Sequence, residues 1–77
     1  MTRLPIVDFV TMEKVLVSMD FRAVRQKGSH IFFRHPDGRA TAVPKHPGRD
    51  LPRPLLRSIL RDIELTPDEF RVHLSRI

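Results

Sequence analysis

The sequence predicts a small α+β domain in the order α-β-β-β-α, with a short C-terminal helix and all helices on one face of a three-stranded antiparallel sheet. Three observations predict this fold: an apolar helical stripe near the N-terminus, β-rich runs around a Pro-Asp-Gly turn, and a second helical stripe after a proline-rich segment. The chain has 77 residues, a length typical of one small domain. We therefore expect a single domain over residues 1–77.

The first helix is predicted from about Phe9 to Met19. Asp8 is a suitable N-cap, and apolar residues follow it at the i, i+3, i+4, i+7 spacing of a buried stripe. Asp20 falls near the end of the helix, where glycine or asparagine is preferred.

Three strands are predicted next, from the runs FRAVRQ, SHIFFRH and RATAVP. The turn Pro36-Asp37-Gly38 joins the last two into a hairpin. Side chains alternate between the faces of a strand, so Ile31 and Phe33 share the apolar face toward the helices. The same alternation places His30, Phe32 and Arg34 on the open face.

The run KHPGRDLPRP is predicted to be a loop, and a helix follows Pro54. Its apolar face contains Leu55, Leu56, Ile59, Leu60 and Ile63. Arg53, Arg57 and Arg61 recur every four residues on another face, which is either a phosphate-binding row or an ordinary solvated surface. Thr66-Pro67-Asp68-Glu69 forms a capping box that starts the last helix, which Phe70 and Leu74 dock onto the core.

Charge is unevenly distributed along the chain. The net charge is +5, yet ten Lys or Arg residues and only two Asp residues lie between Phe21 and Arg61. A basic centre suits a polyanion, and nucleic acid is the commonest polyanion in the cytoplasm. The chain has no cysteine, which excludes disulfides and thiolate metal sites. No apolar run resembles a membrane span or a signal peptide, so we expect a soluble, cytoplasmic protein with no membrane partner.

The densest candidate for chemistry is the run RQKGSHIFFRH, centred on His30. Histidine is the usual general acid or base near neutral pH. In the sequence, cationic residues and a further histidine surround His30, and Gly28 allows a phosphate to approach the backbone closely. The alternative is a surface histidine that contacts phosphate without chemistry.

Two further residues leave alternatives open. His46 is either a second proton-transfer group or a solvated loop residue, and Phe32 is either a stacking platform for a base or an anchor for a protein partner. The spacing of His30, His35 and His46 matches no zinc signature, so we expect neither a metal nor another cofactor.

Taken together, these motifs resemble the HicA (YcfA-like) toxin family. The resemblance rests on Arg25-Gln26-Lys27-Gly28-Ser29-His30, on Arg34-His35-Pro36-Asp37-Gly38-Arg39, and on Val43-Pro44 with His46. It continues through Leu56–Asp62 to Glu69-Phe70 and covers roughly residues 4 to 74. Asp20 and Pro54 depart from it, because the family usually has glycine at both positions.

The resemblance implies a fold similar to a double-stranded-RNA-binding domain and an mRNA interferase activity that stops growth. It also implies that His30 is the catalytic residue and that a cognate HicB antitoxin neutralises the protein. From their own chemistry, we expect the following residues to bind RNA: Arg25, Lys27, Gly28, Ser29, Arg34, Arg39, Lys45 and His46.

The predicted function is therefore a metal-independent endoribonuclease toxin that acts on mRNA. A non-catalytic RNA-binding module of the same fold is the alternative, since fold alone does not decide function. A third possibility is a protein-interaction partner that uses the exposed aromatic and basic surface to hold an acidic protein. The sequence leaves the oligomeric state open.

Overall fold

A computed structural model of the chain describes residues 4–77. The elements are α1 (Phe9–Ser18), β1 (Arg22–Lys27), β2 (His30–Arg34), β3 (Ala40–Pro44), α2 (Arg53–Asp62) and α3 (Pro67–Leu74). The predicted α+β class and the α-β-β-β-α order with a short C-terminal helix are confirmed. The first three residues of the domain predicted over 1–77 lie outside the described residues.

The three strands form one antiparallel sheet in the order β1-β2-β3. Its two hairpins place Lys27 opposite His30 and Ile31 opposite Val43. The register of β1 against β2 shifts between Ala23 and Arg25, so one extra residue of β1 lies in a bulge there. The β2–β3 register is continuous.

The hydrophobic core lies between the helices and one face of the sheet. Ile31 and Phe33 are buried there, whereas His30 and Arg34 are exposed and Phe32 is half-buried. The predicted assignment of the two faces of β2 is therefore confirmed. The helices and the C-cap of α2 contribute the buried residues Phe9, Met12, Val15, Leu16, Leu56, Ile59, Leu60, Ile63 and Phe70. Strand β3 and the segments outside the helices and strands add Leu4, Val7, Phe21, Val43 and Leu51.

Helix α1 begins at the expected N-cap. The Asp8 carboxylate accepts a hydrogen bond from the Thr11 backbone N–H at 3.0 Å, and this bond lowers the pKa of Asp8. The helix ends at Ser18, one residue earlier than predicted.

Asp20 takes the position that glycine usually occupies after a helix. Its φ is +70°, and the Phe21 N–H donates to the Leu16 carbonyl at 3.0 Å while the Asp20 N–H donates to the Val17 carbonyl at 3.0 Å. These two bonds define a Schellman motif. The departure from the family pattern therefore keeps the turn, at a strain of about 1 kcal/mol for a non-glycine residue.

Helix α2 begins at Arg53, so Pro54 lies inside its first turn rather than before the helix. Proline is tolerated there because the first N–H groups of a helix have no intrahelical acceptor. The second departure from the family pattern is thus also compatible with the helix.

The capping box of α3 is confirmed. The Glu69 N–H donates to Thr66 Oγ1 at 3.1 Å, and the Thr66 N–H donates to Glu69 Oε1 at 2.9 Å. Phe70 is fully buried and Leu74 packs against the core. Within residues 4–77, no helix is long and apolar enough to cross a membrane.

Candidate active site and nucleic-acid interface

The side of the sheet away from the helices carries a row of cations. Cross-strand partners point to the same side of a sheet, and the register pairs Arg22 with Arg34, Arg25 with Phe32, and Lys27 with His30. The three strands contain no acidic residue. We call this surface the open sheet face; it consists of Arg22, Arg25, Lys27, His30, Phe32, Arg34, Ala40 and Ala42.

His30 is the first residue of β2 and follows a two-residue turn. Gly28 occupies the first turn position with φ +58°, a conformation that favours glycine. Ser29 is half-buried, and its carbonyl accepts the Lys45 N–H at 2.6 Å. The turn is thereby fixed to the end of β3, which gives His30 a rigid support.

The His30 side chain is exposed and, within residues 4–77, no hydrogen bond or ion pair engages its imidazole. A neutral imidazole has one nitrogen that donates and one that accepts. Both nitrogens are therefore available to a substrate. Lys27, opposite His30 on the same face, adds a cation at this end of the sheet.

Lys45 and His46 follow β3 directly beside this turn. The backbone of Lys45 touches Ser29, but its Nζ lies 5.6 Å from the centroid of the Phe9 ring, toward the start of α1. His46 is exposed in the loop that follows. The Lys45 backbone is thus adjacent to the turn in space, while the Lys45 ammonium lies toward the helix side, and both residues line a cavity with Phe9 and Val10.

The other end of β2 contains a second histidine in a different situation. His35 Nδ1 accepts the Asp37 N–H at 3.0 Å, and its ring packs edge-on against Phe21 with centroids 5.1 Å apart. Asp37 Oδ1 is also 3.0 Å from this nitrogen and is an ion-pair partner only when His35 is protonated.

Arg39 closes this second cluster. Its Nε donates to Asp37 Oδ2 at 2.8 Å, its Nη1 donates to the Ile63 carbonyl, and its guanidinium lies 5.3 Å from the Phe21 ring centroid. Hydrogen bonds from the Arg39 backbone N–H and then from its side chain lower the pKa of Asp37. The donors of Arg39 thus connect the β2–β3 turn to the end of α2.

The predicted site residues therefore fall into separate groups. Arg34 and His35 do not surround His30 as their closeness in sequence suggested, because Arg34 lies four residues along an extended strand, ~13 Å away. The structure brings Lys27, Gly28, Ser29 and His30 together with the Lys45 backbone. Arg25 lies midway along the face, and Arg34 and Arg39 lie at the far end.

The centre of the open sheet face contains a shallow groove of about 450 Å³. The Arg25 guanidinium lies 4.4 Å from the centroid of the Phe32 ring. Ala42 is opposite Phe32 and Ala40 is opposite Arg34, and these small side chains leave the groove open. Both alanines and Arg22 were absent from the site residues predicted from the sequence. The alternation in ATAV does place Ala40 and Ala42 on one face.

The three arginines predicted to form a row on α2, Arg53, Arg57 and Arg61, differ in their surroundings. Arg53 is half-buried, and its Nε donates to the Leu4 carbonyl at 3.0 Å. Arg57 and Arg61 are exposed. Of the predicted row, one member thus stabilises the fold and two remain at the surface. Within residues 4–77, no three His, Asp or Glu side chains lie close enough together to hold a metal ion.

Fold and surface together define a small basic α+β protein whose acid-free sheet face presents an accessible histidine beside a lysine. A family model described as HicA toxin of bacterial toxin-antitoxin matches residues 11–65. The chain therefore belongs to the HicA toxin family, as its motifs suggested, and is the toxin of a bacterial toxin–antitoxin system with a cognate antitoxin as partner. No curated protein matches the chain.

Proposed function

We propose that this toxin is an mRNA interferase, a metal-independent endoribonuclease that uses His30 as its catalytic residue. The observation that carries the proposal is the exposed His30 imidazole, which has no intramolecular partner in the described chain and lies beside Lys27 on an acid-free face. The proposal includes one toxin domain over residues 1–77, action in the cytoplasm, and neutralisation by a HicB-type antitoxin.

The proposed reaction is a phosphoryl transfer within the RNA. His30 takes the proton of a ribose 2′-hydroxyl, whose oxygen attacks the adjacent phosphorus and forms a cyclic phosphodiester. The bond from phosphorus to the 5′-oxygen breaks, and that oxygen takes a proton from a second group. Lys27 stabilises the negative charge on the phosphoryl oxygens.

His46 is our candidate for the second proton-transfer group. It follows Lys45, whose backbone is bonded to the turn before His30, and its side chain is exposed. His46→Ala is expected to slow cleavage less than His30→Ala, because water can replace a group that protonates a leaving oxygen.

RNA binding is assigned to the open sheet face and its neighbouring turn. Arg25, Lys27 and Arg34 supply cations there, and Gly28 and Ser29 supply backbone groups at the turn. The set proposed from the sequence also includes Lys45, His46 and Arg39, which lie outside this face; the Lys45 ammonium lies toward α1, and Arg39 binds RNA only in competition with its bonds to Asp37 and Ile63. The α-β-β-β-α order supports a fold like that of a double-stranded-RNA-binding domain. Affinity that rests on such cations should weaken steeply as salt is raised.

The decisive experiment is RNA digestion by the purified native chain and by His30→Ala in excess EDTA. His30→Ala should cleave about 10²- to 10⁴-fold more slowly, which is the usual contribution of a general acid or base, and should still bind RNA. The matched control is His73→Ala, which removes a histidine from α3, outside the proposed site. Equal cleavage by the native chain and His30→Ala would contradict the assignment.

The alternative is a non-catalytic RNA-binding module of the same fold. It is favoured by the cations of the open sheet face, which are sufficient for binding phosphate without any chemistry. If the native chain binds RNA and does not cut it, with or without added metal, this alternative replaces the nuclease.

A further inference from the structure

The groove at the centre of the open sheet face has the form of a site for a flat ring. The half-buried Phe32 is held in the middle strand of the sheet, and the Arg25 guanidinium already lies over its ring at 4.4 Å. Ala40 and Ala42 line the side that β3 contributes. Its volume of about 450 Å³ is within the usual range of ~300–1,000 Å³ for small-ligand sites.

The surroundings of the groove favour a ligand that combines an aromatic ring with negative charge. Arg25 and Arg34 line the groove itself, Arg22 is opposite Arg34, and the three strands have no carboxylate. Nucleobases stack on aromatic rings and on guanidinium planes, and their phosphates bind arginine. A nucleotide has both properties.

The chemistry of the groove also selects between paired and unpaired RNA. Bases within a duplex are stacked on one another, and only their edges are accessible in the grooves. A base that lies against Phe32 must therefore be unpaired. A duplex would contact only the surrounding cations.

We propose that this groove is a base-binding subsite that takes one unpaired nucleobase against Phe32, and that the substrate is consequently single-stranded RNA. The assignment rests on the proposed function in taking RNA as the ligand. Phe32 lies two residues from His30 on the same face, ~7 Å along the strand. This separation is about the length of one extended nucleotide, so the bound base flanks the linkage that is cleaved beside His30.

A stacking measurement that does not depend on cleavage tests this subsite. The probe is a short 2′-fluoro RNA, which lacks the attacking hydroxyl, with 2-aminopurine scanned along its length. Stacking of 2-aminopurine quenches its fluorescence, so the full native chain should quench the single strand at one position. In the same strand annealed to its complement, base stacking already quenches the probe, so adding the chain should cause no further quenching, and the duplex should bind more weakly.

Variants then assign the signal to the groove. Phe32→Ala should abolish the quenching and weaken single-strand binding about tenfold, within the range known for base–aromatic stacking. Phe32→Leu keeps the apolar contact and should behave similarly, which guards against a folding defect. Val72→Ala removes an exposed apolar side chain from α3, outside the groove, and should change nothing. Arg25→Lys retains the charge but loses the planar guanidinium, and should reduce the quenching.

The outcomes separate this proposal from the nuclease proposal. Quenching that depends on Phe32, in a chain that does not cleave RNA, supports the subsite and removes the catalytic role of His30. Cleavage that depends on His30, with quenching unchanged in both Phe32 variants, overturns the subsite alone. Equal binding of single strand and duplex also overturns it. So does the absence of single-strand binding, which is the result expected of a groove that serves a protein partner.

Discussion

The two ends of strand β2 carry similar residues in opposite situations. At the Gly28 end, defined as Lys27–His30, the histidine is exposed and its imidazole forms no hydrogen bond or ion pair within residues 4–77. At the Pro36 end, defined as Arg34–Arg39, His35 is half-buried against Phe21 and bonded to the Asp37 N–H. Each end therefore has a histidine, a nearby cation and a turn. Only at the Pro36 end do the histidine and the cation form hydrogen bonds within the protein.

This difference teaches how to distinguish a structural cation from a binding one. Arg39 donates to Asp37 and to the Ile63 carbonyl, so an RNA phosphate would have to compete with the fold for it. Lys27 has no such bond in the described chain, and its charge is available to a ligand. Both ends have a histidine and a cation close together in sequence, so the two ends are distinguished by the internal hydrogen bonds of those side chains.

The largest expected effect on folding comes from Arg39→Ala. This substitution removes a charged hydrogen bond to the Ile63 carbonyl and the contact with Phe21, and we expect the free energy of unfolding to fall by about 2 kcal/mol. Lys27→Ala should change it by less than ~0.5 kcal/mol and should instead weaken RNA binding. Urea unfolding measures the free energy of unfolding of the two variants. An equal decrease in both would contradict the distinction between Arg39 and Lys27.

A smaller effect is expected from His35→Ala. The edge-on contact with Phe21 and the bond to Asp37 should be worth about 1 kcal/mol in the free energy of unfolding, while RNA cleavage stays at the native rate. His30→Ala should show the reverse, with unfolding changed by less than ~0.5 kcal/mol. Thermal unfolding and RNA digestion of the same two samples measure both properties. Loss of cleavage in well-folded His35→Ala would show that the two ends share the chemistry.

The smallest effect concerns acid stability at the Pro36 end. Hydrogen bonds from Arg39 lower the pKa of Asp37 in the folded chain. The stabilisation is therefore complete above the unfolded pKa of about 3.9 and is lost as pH falls through the folded value. Asp37→Asn should have a lower melting temperature than the native chain at pH 7, and this difference in melting temperature should become smaller below pH 4. A gap in melting temperature that persists at pH 2 would contradict this origin.

Local patterns in the sequence predicted most of the fold. The helical stripe after Asp8, the capping box at Thr66 and the turn at 36–38 all depend on residues a few positions apart, and the structure confirms them. The two faces of β2 followed from simple alternation. The sequence placed Lys27 near His30 only by their closeness along the chain, and the two-residue turn that pairs them is seen in the structure.

Features that join distant parts of the chain could not be predicted in this way. Arg53 donates to the Leu4 carbonyl 49 residues away, and Arg39 reaches Ile63 across 24 residues. No periodicity in the sequence indicates such partners. The separation of His35 from His30 has a different cause, because residues close in sequence lie far apart along an extended strand.

Strand β1 has one further consequence, which concerns the solubility of the free toxin. All six of its residues are exposed, and as an edge strand it has unpaired backbone groups along one side. Such an edge can recruit a strand from another molecule and start aggregation. The irregular register at Val24 and the charges of Arg22, Arg25 and Lys27 oppose that pairing. Two of these cations, Arg25 and Lys27, are also assigned to RNA binding, so the same charges that attract a phosphate disfavour pairing between the β1 edges of free toxin molecules.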